Sequence, residues 1–297
     1  MFLGSLSPDP VALATALLLE IIERPVPWRG HLVTPYIHPS IHPVALVYKA
    51  ASRLVKPGGA FRGVAVLLAV VAPMAALALL FTAVRGEGLE WSLLEGYLLK
   101  LSFSITQVTR GCGWGYGIGR PHAAVREFVR RRLDPSRRGL VNSACVETMA
   151  ESLVDSYVSP LMWYIAMGLP GAWIQRAVNT ADGLVGFREY KRLGAPSALL
   201  DTVMNYIPAR FTALLILSAG VRGLEALAQR RQIESVNAKW PISAMAAALG
   251  ATLEKEGHYS VGAGGHPTEL DVAYAMWITH RAAAAAALIF YTLAMSA

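Results

Sequence analysis

The apolar positions of this chain fall in long runs rather than in the alternation of a half-buried sheet. The cleanest run is uncharged for 22 residues, from Gly63 to Val84. As a helix that length crosses a hydrocarbon core of ~30 Å. Arg62 and Arg85 flank it, and Pro73 inside it is expected to kink the helix, which membrane helices tolerate. Val11 to Leu19 is shorter, with Asp9 and Pro10 placed as an N-cap and first helical position. No basic stretch precedes it and no small-residue cleavage site follows, so it reads as a retained helix rather than a signal peptide. Trp91 to Val108 is apolar but carries Glu95 and Lys100. Phe211 to Val221 is short and entered through Arg210. Val272 to Ala297 is long enough to span but holds His280 and Arg281. Ionisable groups at such depths are expected to face the bundle interior or to snorkel. Alternating strand patterns are nearly absent.

This pattern predicts an all-α, polytopic helical membrane protein, a single domain over residues 1–297. About five membrane-embedded helices are expected, some broken or re-entrant, with amphipathic helices at the cytoplasmic surface. Composition agrees: 54% of residues are hydrophobic, 16% are charged and mean hydropathy is +0.42. A soluble domain is nearer ~25% charged. The net charge of +7 is clustered, in Lys49, Arg53, Lys56 and Arg62 and again in Arg126, Arg130, Arg131, Arg132, Arg137 and Arg138. The positive-inside rule puts Lys49–Arg62 and Arg110–Arg138 in the cytoplasm, so Trp91–Val108 is expected to cross back. The basic stretch lacks interleaved aromatics. Anionic lipid and topology account for it, and no nucleic-acid partner is expected. Pro160, Pro170 and Gly171 interrupt the apolar stretch Ser156–Ile174. A broken or re-entrant segment there would let Asp155 and Arg176 face one cavity.

Candidate chemistry gathers between Glu147 and Arg210. Glu147, Glu151 and Asp155 are spaced four apart, which on a helix stacks three carboxylates on one face. Such a stripe is costly unless it meets a cation, and the alternative is a solvated acidic face ending at a membrane boundary. Cys112 and Cys145 form no CxxC and have no histidine at metal-ligand spacing, so free thiols are expected and zinc is not. No haem is expected. His38 and His42 are four apart, but each precedes a proline, which disfavours a helical metal pair and points to turn or loop positions. The stretch Gly111-Cys-Gly-Trp-Gly-Tyr-Gly-Ile-Gly119 matches neither a P-loop nor a dinucleotide fingerprint and reads as a flexible connector. Neither an internal repeat nor a Ser/His/Asp nucleophile constellation stands out.

Four polar elements occur in order: ETMAESLVDSYVSPL at 147–161, RAVNTADGLVGF at 176–187, LDTVMNYIPARFTALL at 200–215 and SVNAKWPISAMAAALG at 235–250. With them the chain resembles the CbiB/CobD family of membrane proteins, the adenosylcobinamide-phosphate synthases, from His42-Pro43-Val44 to about Leu253. The family's AEN is Ala150-Glu151-Ser152 here, its DG is Asp155-Ser156, its NAG is Asn237-Ala238-Lys239, and its MAGALG is Met245 to Gly250. Its LD-x-x-GDP element is altered to Leu19-Glu20-Ile21-Ile22-Glu23-Arg24-Pro25, and its RDT signature before Glu147 is missing.

The resemblance implies ATP-dependent amide ligation of adenosylcobyric acid with an amino-alcohol phosphate, usually aminopropanol phosphate. It implies a multi-pass protein of the cell membrane, surrounded by lipid, with its active site facing the cytoplasm. Self-association into a homo-oligomer is compatible with such a bundle. On this reading Glu147, Glu151 and Asp155 are catalytic and hold Mg²⁺. Arg176 and Arg210 clamp phosphate. Asn179, Thr180, Asp182, Asp201, Asn205 and Asn237 bind or orient substrate. Each also has a structural alternative: Arg176 and Arg210 could neutralise Asp182 and Asp201, and Asn179-Thr180 and Asn237 could cap helices. A small-solute transporter and a non-catalytic membrane sensor are the other function classes, since broken helices and intramembrane charges suit them too.

Overall fold

The computed structural model describes residues 6–29, 31–117, 129, 132–185 and 191–297. Arg126, Arg130 and Arg131 of the basic stretch, Ile118 and Gly119 of the glycine run, and Gly186 and Phe187 of the second element lie outside the described residues. Asp9 caps α1 (Pro10–Ile22) as its sequence requires, its carboxylate accepting from the N–H groups of Val11 and Ala12, with Pro10 opening the helix. A small hairpin follows, β1 (Val26–Trp28) against β2 (His31–Val33), antiparallel with Pro27 opposite Leu32. Then come α2 (Pro43–Ser52), α3 (Ala60–Val84), α4 (Leu89–Lys100) and α5 (Thr106–Gly117).

Helix α3 is the clearest membrane element. Its 25 residues extend about 37 Å. Gly63, Val66, Val70, Met74, Ala78 and Thr82 form one buried stripe at helical spacing. The opposite face leaves Leu68, Leu77 and Leu80 more than half exposed. An apolar helix mostly uncovered by protein fits lipid, where a soluble core helix would be enclosed. At Gly63 the chain approaches Leu193 so closely that a Cβ would sit 2.1 Å from its carbonyl oxygen. One other helix among those described is long and apolar enough to span, α12 (Glu269–Ser296). It is entered through a capping box of Thr268 and Asp271. His280 and Arg281 are both exposed on it.

Trp91–Val108 is not one crossing helix. It divides into α4 and α5, and the 12 residues of α4 reach only about 18 Å. The cause is the charge within it: Glu95 and Lys100 are both buried and both partnered, so this segment is anchored in the protein interior. Gly111–Gly117 is also not a loop, but continues α5. Glycine weakens a helix in water, yet is common in membrane helices, where it permits close approach.

The functional elements follow: α6 (Arg138–Leu153), a π-helical turn (Val154–Val158), α7 (Ser159–Val185), α8 (Lys191–Met204) and α9 (Tyr206–Leu217). Helix α7 breaks at Met167 and at Gly168, whose φ of 61° favours glycine, just before Pro170. The expected interruption is present. The chain ends through α10 (Glu225–Gln229), α11 (Lys239–Leu249), a second hairpin of β3 (Leu253–Lys255) and β4 (Tyr259–Val261), and α12. The two hairpins are small, each pairing only three residues per strand, in keeping with a mostly helical chain. The core runs continuously from α1 and α4 through α3, α6 and α7 to α11 and α12.

Candidate functional site

The three carboxylates of the acidic helix have different surroundings, and of the other two only Glu151 acts on Asp155. Glu147 is buried in α6 and accepts from the Ser143 hydroxyl at 2.9 Å. Ser143 also bridges to the Glu254 backbone in β3. Glu151 is exposed on the last turn. Asp155 lies beyond the change to π-helix, which widens the turn and rotates it relative to the residues before. The π turn is the physical reason that the four-residue spacing does not give one straight stripe.

Asp155 instead meets the second and third polar elements. The second half of α7 carries Gln175, Arg176, Asn179, Thr180 and Asp182. Gln175 Nε2 donates to the Asp155 carbonyl (3.4 Å) and to Asn205 Oδ1 (3.2 Å). Asn205 occupies the one-residue joint between α8 and α9, three residues before Pro208, and its Nδ2 donates to Asp201 Oδ1 at 3.0 Å. Asn179 Nδ2 reaches the same oxygen at 3.5 Å. Arg176 Nη1 lies 3.4 Å from Ser156 Oγ, and the Thr180 hydroxyl donates back to the Arg176 carbonyl at 2.7 Å.

This is a crowded set of like charges. Desolvation, then Asp201, Glu151 and Asp182, push the Asp155 carboxyl well above its usual range, while Arg176 pulls it down. Desolvation and Asp182 raise Asp201 to about 6, against the hydrogen bonds from Asn205 and Asn179. Arg176 forms no ion pair of 4 Å or less with Asp182 or Asp201 among the described residues; the carboxylate that acts on it is Asp155. Nor do Asn179 and Thr180 cap a helix, since both lie inside α7.

Arg176, Asn179, Thr180 and Ser156 line a cavity of about 590 Å³, within the usual range for small-molecule sites. Its other walls come from the N-terminal third: Leu32, Thr34, Ile37, His42, Tyr48 and Lys100. Residues from this third went unassigned in the sequence reading. His42 is the N-cap of α2, its Nδ1 accepting from Val44 N–H at 3.3 Å. Burial, then the positive charges of Arg176 and Lys100, lower it to about 4. The neutral ring therefore carries its proton on Nε2. The signal for this residue was Pro43, a proline at the first helical position. Lys100 is held by Glu20 Oε2 (3.0 Å), Glu23 Oε2 (3.1 Å) and the Phe103 carbonyl (3.0 Å). Glu20 Oε1 also accepts from Ile105 N–H and Thr106 N–H at the start of α5. The altered LD-x-x-GDP element thus keeps its acids for a buried ionic joint.

Two further expected site residues, Arg210 and Asn237, do not line the cavity. Arg210 in α9 stacks on Tyr206, 3.4 Å from the ring centre, and faces Trp240. Asn237 precedes α11 without capping it; its Nδ2 donates to the Thr202 carbonyl at 2.9 Å. Cys112 and Cys145 are free and buried.

Among the described residues no three His, Cys, Asp or Glu side chains are grouped to hold a metal on their own. Asp155 and Asp201 do suit Mg²⁺ that keeps its waters and takes one or two carboxylates plus substrate phosphates: their raised carboxyls mark a place where negative charge is under-compensated.

The chain is similar to known proteins along most of its length. A family model described as CobD/Cbib protein matches residues 13–288. A probable cobalamin biosynthesis protein CobD of Aeropyrum pernix is 38% identical over 280 residues, covering 88% of this chain and 86% of that protein. The cobalamin biosynthesis protein CobD of Dehalococcoides mccartyi is 31% identical over 247 residues, covering 75% and 80%. No solved structure matches. The residues joined at the cavity fall inside the matched region, and the chain belongs to the CobD/Cbib protein family.

Proposed function

We propose that this chain acts in cobalamin biosynthesis as an ATP-dependent amide ligase. It would join the carboxyl of adenosylcobyric acid to the amine of an amino-alcohol phosphate such as aminopropanol phosphate, giving adenosylcobinamide phosphate. The observation that carries the reading is the meeting of Asp155, Asp182 and Asp201 with Arg176, which lines a cavity of about 590 Å³. That volume lies in the range of small-molecule sites and suits a small phosphorylated amine. The macrocycle would present its carboxyl at the mouth.

A carboxylate does not accept an amine at neutral pH. Transfer of the terminal phosphoryl of ATP to its oxygen gives an acyl phosphate and ADP. Attack by the amine then forms the C–N bond and releases inorganic phosphate. The transfer needs positioning and charge compensation more than covalent help. Arg176 supplies a planar fork for phosphoryl oxygens beside Ser156. Magnesium bound with ATP near Asp155 and Asp201 would neutralise phosphate charge. Asp201, titrating near 6, can hold the incoming ammonium and take its proton on Oδ. Asn179 and Asn205 keep that carboxylate oriented. His42 offers Nε2–H to a substrate oxygen. His42 sits just before the basic run Lys49–Arg62, which supports a cytoplasmic mouth.

The test is direct. Purified protein in neutral detergent is mixed with adenosylcobyric acid, aminopropanol phosphate, ATP and Mg²⁺, and the amide is sought by mass spectrometry together with ADP. Stoichiometric amide and ADP support the ligase. Neither product, with corrinoid uptake into vesicles holding the protein, replaces it by a transporter.

A further inference from the structure

Away from the cavity two guanidiniums converge on one indole. The central carbons of the Arg210 and Arg230 guanidiniums each lie 5.1 Å from the centre of the Trp240 ring. The two cations are therefore within about 10 Å, close to a Debye length at physiological salt. Among the described residues neither has a carboxylate within ion-pair distance. Each gives one N–H to a carbonyl of its own segment, Arg210 to Tyr206 and Arg230 to Leu227. A guanidinium has five N–H donors, so each fork keeps donors for something else. The indole Nε1 of Trp240 is buried and has no hydrogen-bond partner among the described residues, although a buried indole N–H ordinarily finds one. Two cations held within about 10 Å of each other on one ring repel. An anion reaching both forks at the ring edge would relieve that repulsion and accept from the free donors.

We propose that Arg210, Arg230 and the Trp240 N–H form a phosphate-binding site separate from the cavity. Arg230, outside every recognised sequence element, is its second jaw. The site is fixed beside the acidic cluster, because Asn237, three residues before Trp240, is bound to the carbonyl of Thr202, next to Asp201. The same donors suit the phosphate of a soluble ligand or of a lipid headgroup. The inference rests on unpaired donors alone and stands whether or not the chain ligates amides.

The experiment uses the full chain and no turnover. In the first arm, protein in neutral detergent is titrated with inorganic phosphate against chloride at constant ionic strength. Tryptophan fluorescence is followed, with Trp240→Phe identifying the responding ring. In the second, thermal stability is compared in phosphatidylcholine nanodiscs with and without phosphatidylglycerol. A saturable phosphate response weakened about tenfold or more by Arg230→Gln supports a soluble-phosphate site, since a charged hydrogen bond is lost. Stabilisation by phosphatidylglycerol that Arg230→Gln abolishes supports the headgroup. Arg230→Lys, keeping the charge without the fork, should fall between, and it carries the test if the glutamine variant fails to fold. Wild type that responds in neither arm overturns the site. So does Arg231→Gln, at the neighbouring arginine, losing as much as Arg230→Gln, because that would mean a diffuse basic surface.

Discussion

The side-chain amide of Asn205 holds Asp201 Oδ1 at 3.0 Å, and this bond joins the end of α8 to the break before α9. Asn205 is itself bound by Gln175 of α7 at 3.2 Å. Three helices are thus tied at one carboxylate that its surroundings disfavour in the charged form. A charge kept where folding gains little from it has a binding role as its simplest explanation.

Asp201→Asn keeps the oxygen that Asn205 and Asn179 bind but removes the charge. The folded carboxyl titrates near 6, above its ordinary 3.8, so the folded state binds the proton more tightly. Its contribution to stability is complete in acid below 3.8 and is lost as pH rises through 6. The amide removes this loss, so the empty variant should melt higher than wild type above pH 6, with unfolding free energy raised by at most about 3 kcal/mol. Ligation should fall about a hundredfold. A variant that melts lower and turns over normally would make Asp201 purely structural.

Arg176→Lys keeps a positive charge facing Asp155 but loses the bidentate fork. The Michaelis constant for the phosphate-bearing substrate, or for ATP, should rise about tenfold, with melting unchanged at neutral pH. Normal constants for both would leave Arg176 as the counter-ion of Asp155 and nothing more.

Much of this was readable in the sequence because local signals agreed with their surroundings. Asp9-Pro10 announced the start of α1, the uncharged run announced α3, and Pro160, Pro170 and Pro208 marked places where helices deviate or break nearby. The approach of Asp155 and Arg176 was expected from the interruption at Pro160, Pro170 and Gly171, whereas Asn179 and Asp201 entered the site through the resemblance. Spacing alone put Glu147 with Asp155, because periodicity assumes a straight α-helix and cannot foresee the π turn at Val154–Val158. Lys100 was visible only as a charge in an apolar run. Its partners, Glu20 and Glu23, lie far away in the chain, and that pairing exists only in the packed molecule.

Lys100 stands between two carboxylates, all three almost wholly buried. Lys100→Met preserves the stem but leaves Glu20 and Glu23 without a cation, at a cost of ~3–5 kcal/mol. The variant should accumulate poorly in membranes and melt well below wild type. Adding Glu23→Gln removes one stranded charge and should recover part of that loss, while Glu23→Gln alone should be milder than Lys100→Met. Equal melting of wild type and Lys100→Met would show that the triad is solvated.

His42 gives a pH signature of opposite sign to Asp201. Burial and the facing cations hold its ring near 4, below the ordinary 6.5, so the unfolded chain takes up the proton first as pH falls. The stability due to the neutral ring is complete above 6.5, drains away between 6.5 and 4, and is constant below. His42→Asn tests this cleanly, because asparagine is an equally good N-cap and can still accept from Val44 N–H. The variant should fold as well as wild type at pH 7.5 yet lose less stability between pH 6.5 and 4, where His42 no longer titrates. Asparagine is also shorter and does not reproduce the reach of Nε2 into the cavity, so the Michaelis constant for one substrate should rise at pH 7.5 with melting unchanged. Parallel melting curves for the two proteins from pH 7.5 to 4, together with unchanged kinetics, would reduce His42 to the cap of α2. A shift in kinetics alone would keep its place in the cavity while refuting the titration.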